Sequence, residues 1–207
     1  LTSLDALQAL ELEWWPDTRV QRIEREPRRL ALHSGETLAY DKLILCTGGR
    51  ARTLSVPGAD GAFIHALRTI RDAQALAPML SPGRSVTVIG GRWIGLEAAA
   101  TARKNGANVP VLEAQSRLCE RTVPKEISEY LLALHQEHGA NIMLGAQVAH
   151  IARQGDDRSR ISLADGQIID SDVIVAGIGL VPNDELAREA GLECDGGIIV
   201  DPRCQTS

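Results

Sequence analysis

The sequence predicts an α/β protein: a Rossmann-like domain with a parallel sheet and an inserted β-hairpin, flanked by β-rich pieces. Three observations predict it. Strand-like and helix-like runs alternate through the middle of the chain, the pattern of a sheet with crossover helices. A glycine-rich turn, GGRWIG at 90–95, stands where the first of those strands meets the first of those helices. Two continuous apolar runs, DKLILCTGG at 41–49 and VIVAGIG at 173–179, end on glycines as buried strand ends do.

Taken in order, LTSLDALQALELEWW at 1–15 reads as a helix fragment. Short strand-like runs follow at 19–26, 29–33 and 37–46, with Ser34-Gly35 as a tight turn between two of them. Residues 49–61 are loop-like around Pro57-Gly58. A helix is expected over 70–80, weakened by Pro78 and stopped by Ser81-Pro82-Gly83. Val86–Ile89 is then a strand, 93–104 a helix stopped by Asn105-Gly106, and 109–113 a second strand. Pro110 is awkward inside an interior strand because it cannot donate to the ladder.

Pro124 suits the first turn of the next helix. There Ile127, Tyr130, Leu131 and Leu134 recur at helical spacing as one apolar stripe. Gly139 is expected as its cap, and 141–144 as a third strand. Alternating runs at 148–153 and 159–163, with a turn at Asp165-Gly166, supply the hairpin before the last strand, 173–176. Three segments follow: 1–67, 68–183 and 184–207.

Composition narrows the function. The chain is 44% hydrophobic and 24% charged, as for a folded globular protein. A net charge of −5 and the lack of basic runs interleaved with aromatics argue against nucleic acid. No apolar run approaches the ~20 residues that span a bilayer. Cys46, Cys119, Cys194 and Cys204 are scattered without CxxC or metal-type spacing, so reduced thiols and a cytoplasmic setting are expected. The five histidines form no metal-spaced set and read as surface residues. No metal site is expected.

The chemistry concentrates at 85–113. Gly90 allows a tight turn out of the strand, and Gly95 allows the helix to pack closely on the sheet. The helix N-terminus offers unsatisfied N–H groups to a diphosphate. Glu113, 23 residues after Gly90, stands where an acid receives the hydroxyls of an adenosine ribose and repels a 2′-phosphate, favouring NADH over NADPH. Arg92 occupies the middle glycine position of the frame. Its guanidinium can crowd a pyrophosphate or bind it. Candidate contacts are therefore Gly90, Gly91, Arg92, Trp93, Ile94 and Gly95, with Glu113 and Arg121; Arg117 and Arg121 are the cations close enough to bear on the choice against a 2′-phosphate. Glu97 is a carboxylate among Ile94, Leu96 and Ala98–Ala100, a setting that calls for a specific partner. A GxSxG elbow and a GK[ST] P-loop are both missing.

These pieces together resemble the FAD-dependent pyridine nucleotide-disulfide oxidoreductases, specifically the NADH:ferredoxin reductase branch of rubredoxin and putidaredoxin type. YDKLILCTGGRARTLSVPG, VIGGRWIGLEAAATARKNGANVPVLEA, VIVAGIGLVPNDELAREAGL and GGIIVDPRCQTS carry the likeness across essentially the whole chain. Departures are Arg92 and Cys46, the latter where alanine is frequent. The resemblance implies that 1–67 and 184–207 are parts of a split FAD domain, and that 68–183 is the NAD domain. It also implies a longer protein, since the FAD-binding GxGxxG and the later flavin-contacting and interface segments of such proteins are outside this sequence.

By the same resemblance, hydride passes from NADH to FAD, then single electrons to a [2Fe-2S] ferredoxin or rubredoxin that serves an oxygenase. Glu97 matches the helix glutamate beside the nicotinamide, Thr47 and Gly48 would lie by the flavin, and Gly177, Ile178 and Gly179 by the nicotinamide. Other readings are a dinucleotide-sensing module without turnover, another flavoprotein disulfide or nitrite-type reductase branch, and a methyltransferase. The hairpin and GIGLVPN argue against the last.

Overall fold

The computed structural model describes residues 9–10, 12–61, 63–155 and 158–207. The helix expected over 1–15 falls largely outside them. The chain divides into two compact units, one of Leu1–Gly49 with Pro182–Ser207 and one of Arg50–Val181.

In the first unit β1 (Val20–Glu24), β2 (Arg29–Leu32) and β3 (Thr37–Ala39) form an antiparallel meander. Ile23, Leu30 and Leu32 bury their side chains on one small core, and Leu43, Leu45, Leu186 and Ala190 pack against it. The long strand expected through Cys46 is not formed. It ends as β3 at Ala39, and regular structure returns only at β4 (Gly49–Ala51). A strand exists through its neighbours' hydrogen bonds, and no described strand pairs with 41–48. The apolar alternation survives as packing alone: Leu43 and Leu45 reach the core, while Ile44 is 85% exposed.

The second unit is built on a parallel sheet of five strands. β5 (Ile64–Ala66) is followed by α1 (Ile70–Leu76), which runs into a 3₁₀ turn at Ala77–Met79 where Pro78 cannot continue an α-helix. Thr69 and Asp72 cap α1 reciprocally. Then come β6 (Val86–Ile89), α2 (Trp93–Lys104), β7 (Pro110–Glu113), α3 (Lys125–Glu137) and β8 (Asn141–Leu144). After them β9 (Val148–Gln154), β10 (Arg158–Leu163) and β11 (Ile168–Ser171) form an antiparallel sheet, and β12 (Val173–Ala176) returns to the parallel one. The parallel order is β5-β12-β6-β7-β8. The hairpin read from the sequence is thus a three-strand meander. Its third strand was hidden because QIIDS is half polar and only four of its residues pair.

Alternation along the strands explains the layers. Val86, Val88, Val111, Val173 and Val175 join Leu76, Leu96, Ala99 and Ala102 in a core beneath the helices. Ile89, Leu112 and Ile174 face the other way and meet Ile151, Ile161 and Leu163 of the meander. Helices therefore cover one face of the sheet and the meander the other. The 68–183 segment read from the sequence begins later than this unit, because β5 pairs with β12 and belongs to the sheet.

Pro110 lies within β7 opposite Asn141. Asn108 and Leu112 both direct their carbonyls to β6, so residue 110 faces β6 too, and proline removes a bond between central strands there. Pairing to β6 accordingly occurs at Ser85/Asn108 and resumes at Val88/Val111.

α3 departs from its expected stripe. Ile127 and Tyr130 are 43% and 63% exposed, and the buried side is carried by Ser128 with Leu131 and Leu132. Two histidines also depart from the surface reading, His65 and His135 being half-buried.

A fourth helix, α4 (Glu185–Glu189), follows β13 (Leu180–Pro182), and β13 pairs with β4 as a two-stranded ribbon in which the unit boundaries fall. No described helix is long and apolar enough to cross a membrane.

Candidate dinucleotide site

A cleft of about 380 Å³ opens at the C-terminal ends of β6, β7 and β12, the end of an open parallel sheet at which ligands bind. Gly90, Arg92, Glu113, Gly177 and Ile178 line it, together with Leu54, Ile89, Gln115 and Gln147. Three strand ends and the start of α2 meet here because three glycines interlock. A Cβ on Gly95 would stand 2.0 Å from the Gly90 carbonyl oxygen, and one on Gly90 2.6 Å from the Gly177 carbonyl oxygen. One on Gly177 would meet the Gly95 backbone at 2.9 Å. All these collisions are with backbone, which cannot swing aside. Gly90 also holds φ at 106°, which L side chains rarely adopt.

Gly91 is constrained from behind. Its Cβ would lie 2.5 Å from a Leu118 methyl and 3.0 Å from the Glu113 Cβ. Arg92, in contrast, is the N-cap of α2 with φ −103° and ψ 179°, ordinary extended backbone. The arginine therefore replaces a glycine at no conformational cost. Its guanidinium makes no ion pair or hydrogen bond among the described residues, and it approaches Gly179, whose φ is 113°.

Glu113 is buried, with 6% of its surface exposed. One carboxylate oxygen accepts the Gly91 N–H at 2.6 Å, and the other accepts the Gln115 N–H at 2.8 Å. A carboxylate offers about four acceptor positions, so each oxygen keeps one for a further donor. The same side chain thus ties the end of β7 to the glycine turn and faces the cleft.

Residues 114–124 fold as a loop behind the turn. The Gly91 carbonyl accepts the Cys119 N–H at 3.0 Å and its thiol at 3.7 Å. Burial pushes that thiol's pKa up, which keeps it protonated and inert. Arg117 spends its guanidinium on the carbonyls of Val123 and Glu120 and on the Ser128 hydroxyl, at 2.8, 2.6 and 2.8 Å. It is a loop pin and is turned away from ligand duty. Arg121 stays exposed on this loop.

The remaining candidates lie elsewhere. Trp93 and Ile94 are exposed on the first turn of α2, outside the cleft lining, and Gly95 is buried beneath Gly90. Glu97 is exposed on α2, and its carboxylate has no partner among the described residues; its backbone carbonyl accepts the Thr101 hydroxyl at 2.8 Å. Thr47 and Gly48 belong to the other unit. There the Thr47 hydroxyl donates to the Asn183 carbonyl at 2.6 Å, the Asn183 amide donates to the Thr47 carbonyl at 2.9 Å, and the Asn183 N–H donates to the Gly48 carbonyl at 3.0 Å. Asn183 escaped the sequence reading, as did Leu54, Gln115 and Gln147. Gln115 lies two residues past the end of β7 and Gln147 directly before β9, and nearness to a strand end is the one signal that pointed to them.

The family description of the pyridine nucleotide-disulphide oxidoreductases matches residues 4–207. A ferredoxin–NAD(+) reductase component of an anthranilate 1,2-dioxygenase system from Burkholderia cepacia is 44% identical over 92% of this chain and 47% of its own length. Putidaredoxin reductase of Pseudomonas putida is 38% identical over the whole chain and 50% of its own length. Among solved structures, the ferredoxin reductase of the CYP199A2 system from Rhodopseudomonas palustris superposes with a TM-score of 0.90 at 38% identity, over 99% of this chain and 50% of that one. The chain spans about half the length of the curated relatives it matches. It belongs to the pyridine nucleotide-disulphide oxidoreductase family.

Proposed function

We propose that Arg50–Val181 is the NADH-binding portion of a flavin-dependent ferredoxin reductase. The observation that carries this reading is the interlocked Gly90–Gly95–Gly177 junction, which keeps a backbone-lined cradle open in front of the α2 N-terminus with Glu113 at its side. A Cβ at any of the three positions would collide with backbone, so the residues present fit a pyrophosphate lying against main chain. Gly90, Gly91 and Arg92 hold the diphosphate. Glu113 accepts the ribose hydroxyls on the acceptor positions its two backbone bonds leave open. Gly177–Gly179 border the nicotinamide end, and the family likeness assigns Glu97 of α2 to the same end.

NADH supplies a hydride, and FAD in the longer protein passes electrons on one at a time. For FAD, this chain offers the Thr47–Gly48 backbone steadied by Asn183. The two stretches of the first unit, Leu1–Gly49 and Pro182–Ser207, are assigned to the FAD domain on that basis and on the family likeness. The acceptor is a [2Fe-2S] ferredoxin or a rubredoxin serving an oxygenase; the names of the relatives, a ferredoxin–NAD(+) reductase component of a dioxygenase system and a putidaredoxin reductase, support the ferredoxin and oxygenase parts of this reading. All four cysteines are free thiols, in keeping with a cytoplasmic protein.

Calorimetric titration of the 207-residue chain with NADH, NADPH and S-adenosylmethionine tests the first part. NADH binds saturably and more tightly than NADPH, because Glu113 repels a 2′-phosphate and Arg117 is committed to the loop. Saturable binding of S-adenosylmethionine without NADH binding refutes the assignment. Arg92→Ala weakens NADH by roughly fivefold, the worth of one exposed charge-assisted hydrogen bond of ~1 kcal/mol. Tighter binding by that variant would mean that Arg92 obstructs the pyrophosphate. The longer coding sequence yields a yellow protein that reduces a ferredoxin with NADH, and a colourless inactive product refutes the catalytic part.

A further inference from the structure

A second cavity, of about 470 Å³, lies at the N-terminal end of the parallel sheet, opposite the dinucleotide cleft. Its lining comes from four separate places: Phe63 and His65 at β5, Arg84 before β6, Arg153 on β9, and Asp172 with Val173 at the start of β12, Met79 adding apolar surface. The Arg153 guanidinium stands 5.2 Å above the Phe63 ring and donates to the Gly155 carbonyl at 3.3 Å. Neither Arg84 nor Arg153 has a carboxylate partner among the described residues. The one acid in the lining, Asp172, is already engaged: it accepts the Ser85 N–H at 2.8 Å and pairs with Arg158 at 3.4 Å.

Two cations without counter-ions at one concavity are an unbalanced arrangement, and they call for an anion. The floor narrows the class. Phe63, Met79 and Val173 are apolar, so a bare oxyanion would leave them against water, whereas a carboxylate carrying an apolar body would cover them. A planar guanidinium matches a carboxylate in both shape and donor spacing. From this convergence we propose that the cavity is a binding site for a small organic carboxylate, its carboxylate held by Arg84 and Arg153 and its apolar part against Phe63, Met79 and Val173.

The site is independent of the NADH reading, since it shares no lining residue with the cleft. Titration of the 207-residue chain with sodium benzoate at constant ionic strength, followed by proton NMR of the His65 and Phe63 rings, tests it. Expected is a saturable shift with a dissociation constant on the order of 1 mM, weakened at least roughly tenfold in Arg84→Gln and in Arg153→Gln. Arg84 is half-buried and Arg153 exposed, and circular dichroism confirms that each variant is folded. His65→Gln serves where a variant does not fold, with the Phe63 ring alone as the probe. A parallel titration with NADH leaves the benzoate curve unchanged. Shifts that never saturate, that persist undiminished in both Arg84→Gln and Arg153→Gln, or that inorganic phosphate reproduces at equal strength would overturn the proposal.

Discussion

Gly95 shows how little room the glycine junction leaves. Any Cβ there falls 2.0 Å from the Gly90 carbonyl oxygen, and neither partner can rotate away. Gly95→Ala must push α2 off β6, at a cost of about 2–4 kcal/mol in urea unfolding and of most of the NADH affinity. A variant with unchanged stability and binding would contradict the packing described. His65 presents a different balance. Burial, and then the neighbouring Arg153, hold its pKa below the ordinary 6.5. The unfolded chain therefore binds the proton first, and this residue's share of stability is complete above pH 6.5 and lost as the pH falls from there. NMR titration of the imidazole should give a midpoint below 6.5, raised toward it in Arg153→Gln; a midpoint above 6.5 would remove the argument.

Elements are decided by what surrounds them. β6 is the most enclosed strand, with Val86, Thr87 and Val88 all at 0% exposure. Thr87 nevertheless carries a hydroxyl that finds no partner among the described residues. Replacing it by valine keeps the shape and removes an unsatisfied polar atom, so Thr87→Val should raise the unfolding free energy by ~1 kcal/mol. A destabilised variant would reveal a partner for the hydroxyl. α3 teaches the converse. Its helical period was legible, but which side faces the sheet was not: Ser128 is buried because its hydroxyl donates to the Leu118 carbonyl at 2.6 Å and receives Arg117. A polar side chain with two fixed partners occupies the inner face, and the more apolar Ile127 and Tyr130 are left outside.

At the scale of the molecule, Arg50–Val181 contains its own sheet, both covering layers and the entire cleft proposed for the dinucleotide. Expressed alone, it should unfold in one cooperative transition and bind NADH within roughly threefold of the 207-residue chain. Loss of binding in a folded product would place part of the site in the other unit. Local sequence was enough for the α/β class, the strand–turn–helix–strand at 86–113, the capping at Gly106 and Gly139, and the choice of Gly90, Gly95 and Glu113 as candidates. These are local properties: hydrophobic period, turn chemistry and a motif contained within one stretch of chain. Tertiary structure alone decided the rest. It showed that Gly91 rather than residue 92 is the crowded position, that Arg117 is spent on its own loop, that Gly177 closes the junction, and that 41–48 forms no strand. Each of these depends on atoms brought together from distant parts of the chain, and neither what a Cβ would collide with nor an absent ladder partner leaves a mark on local sequence.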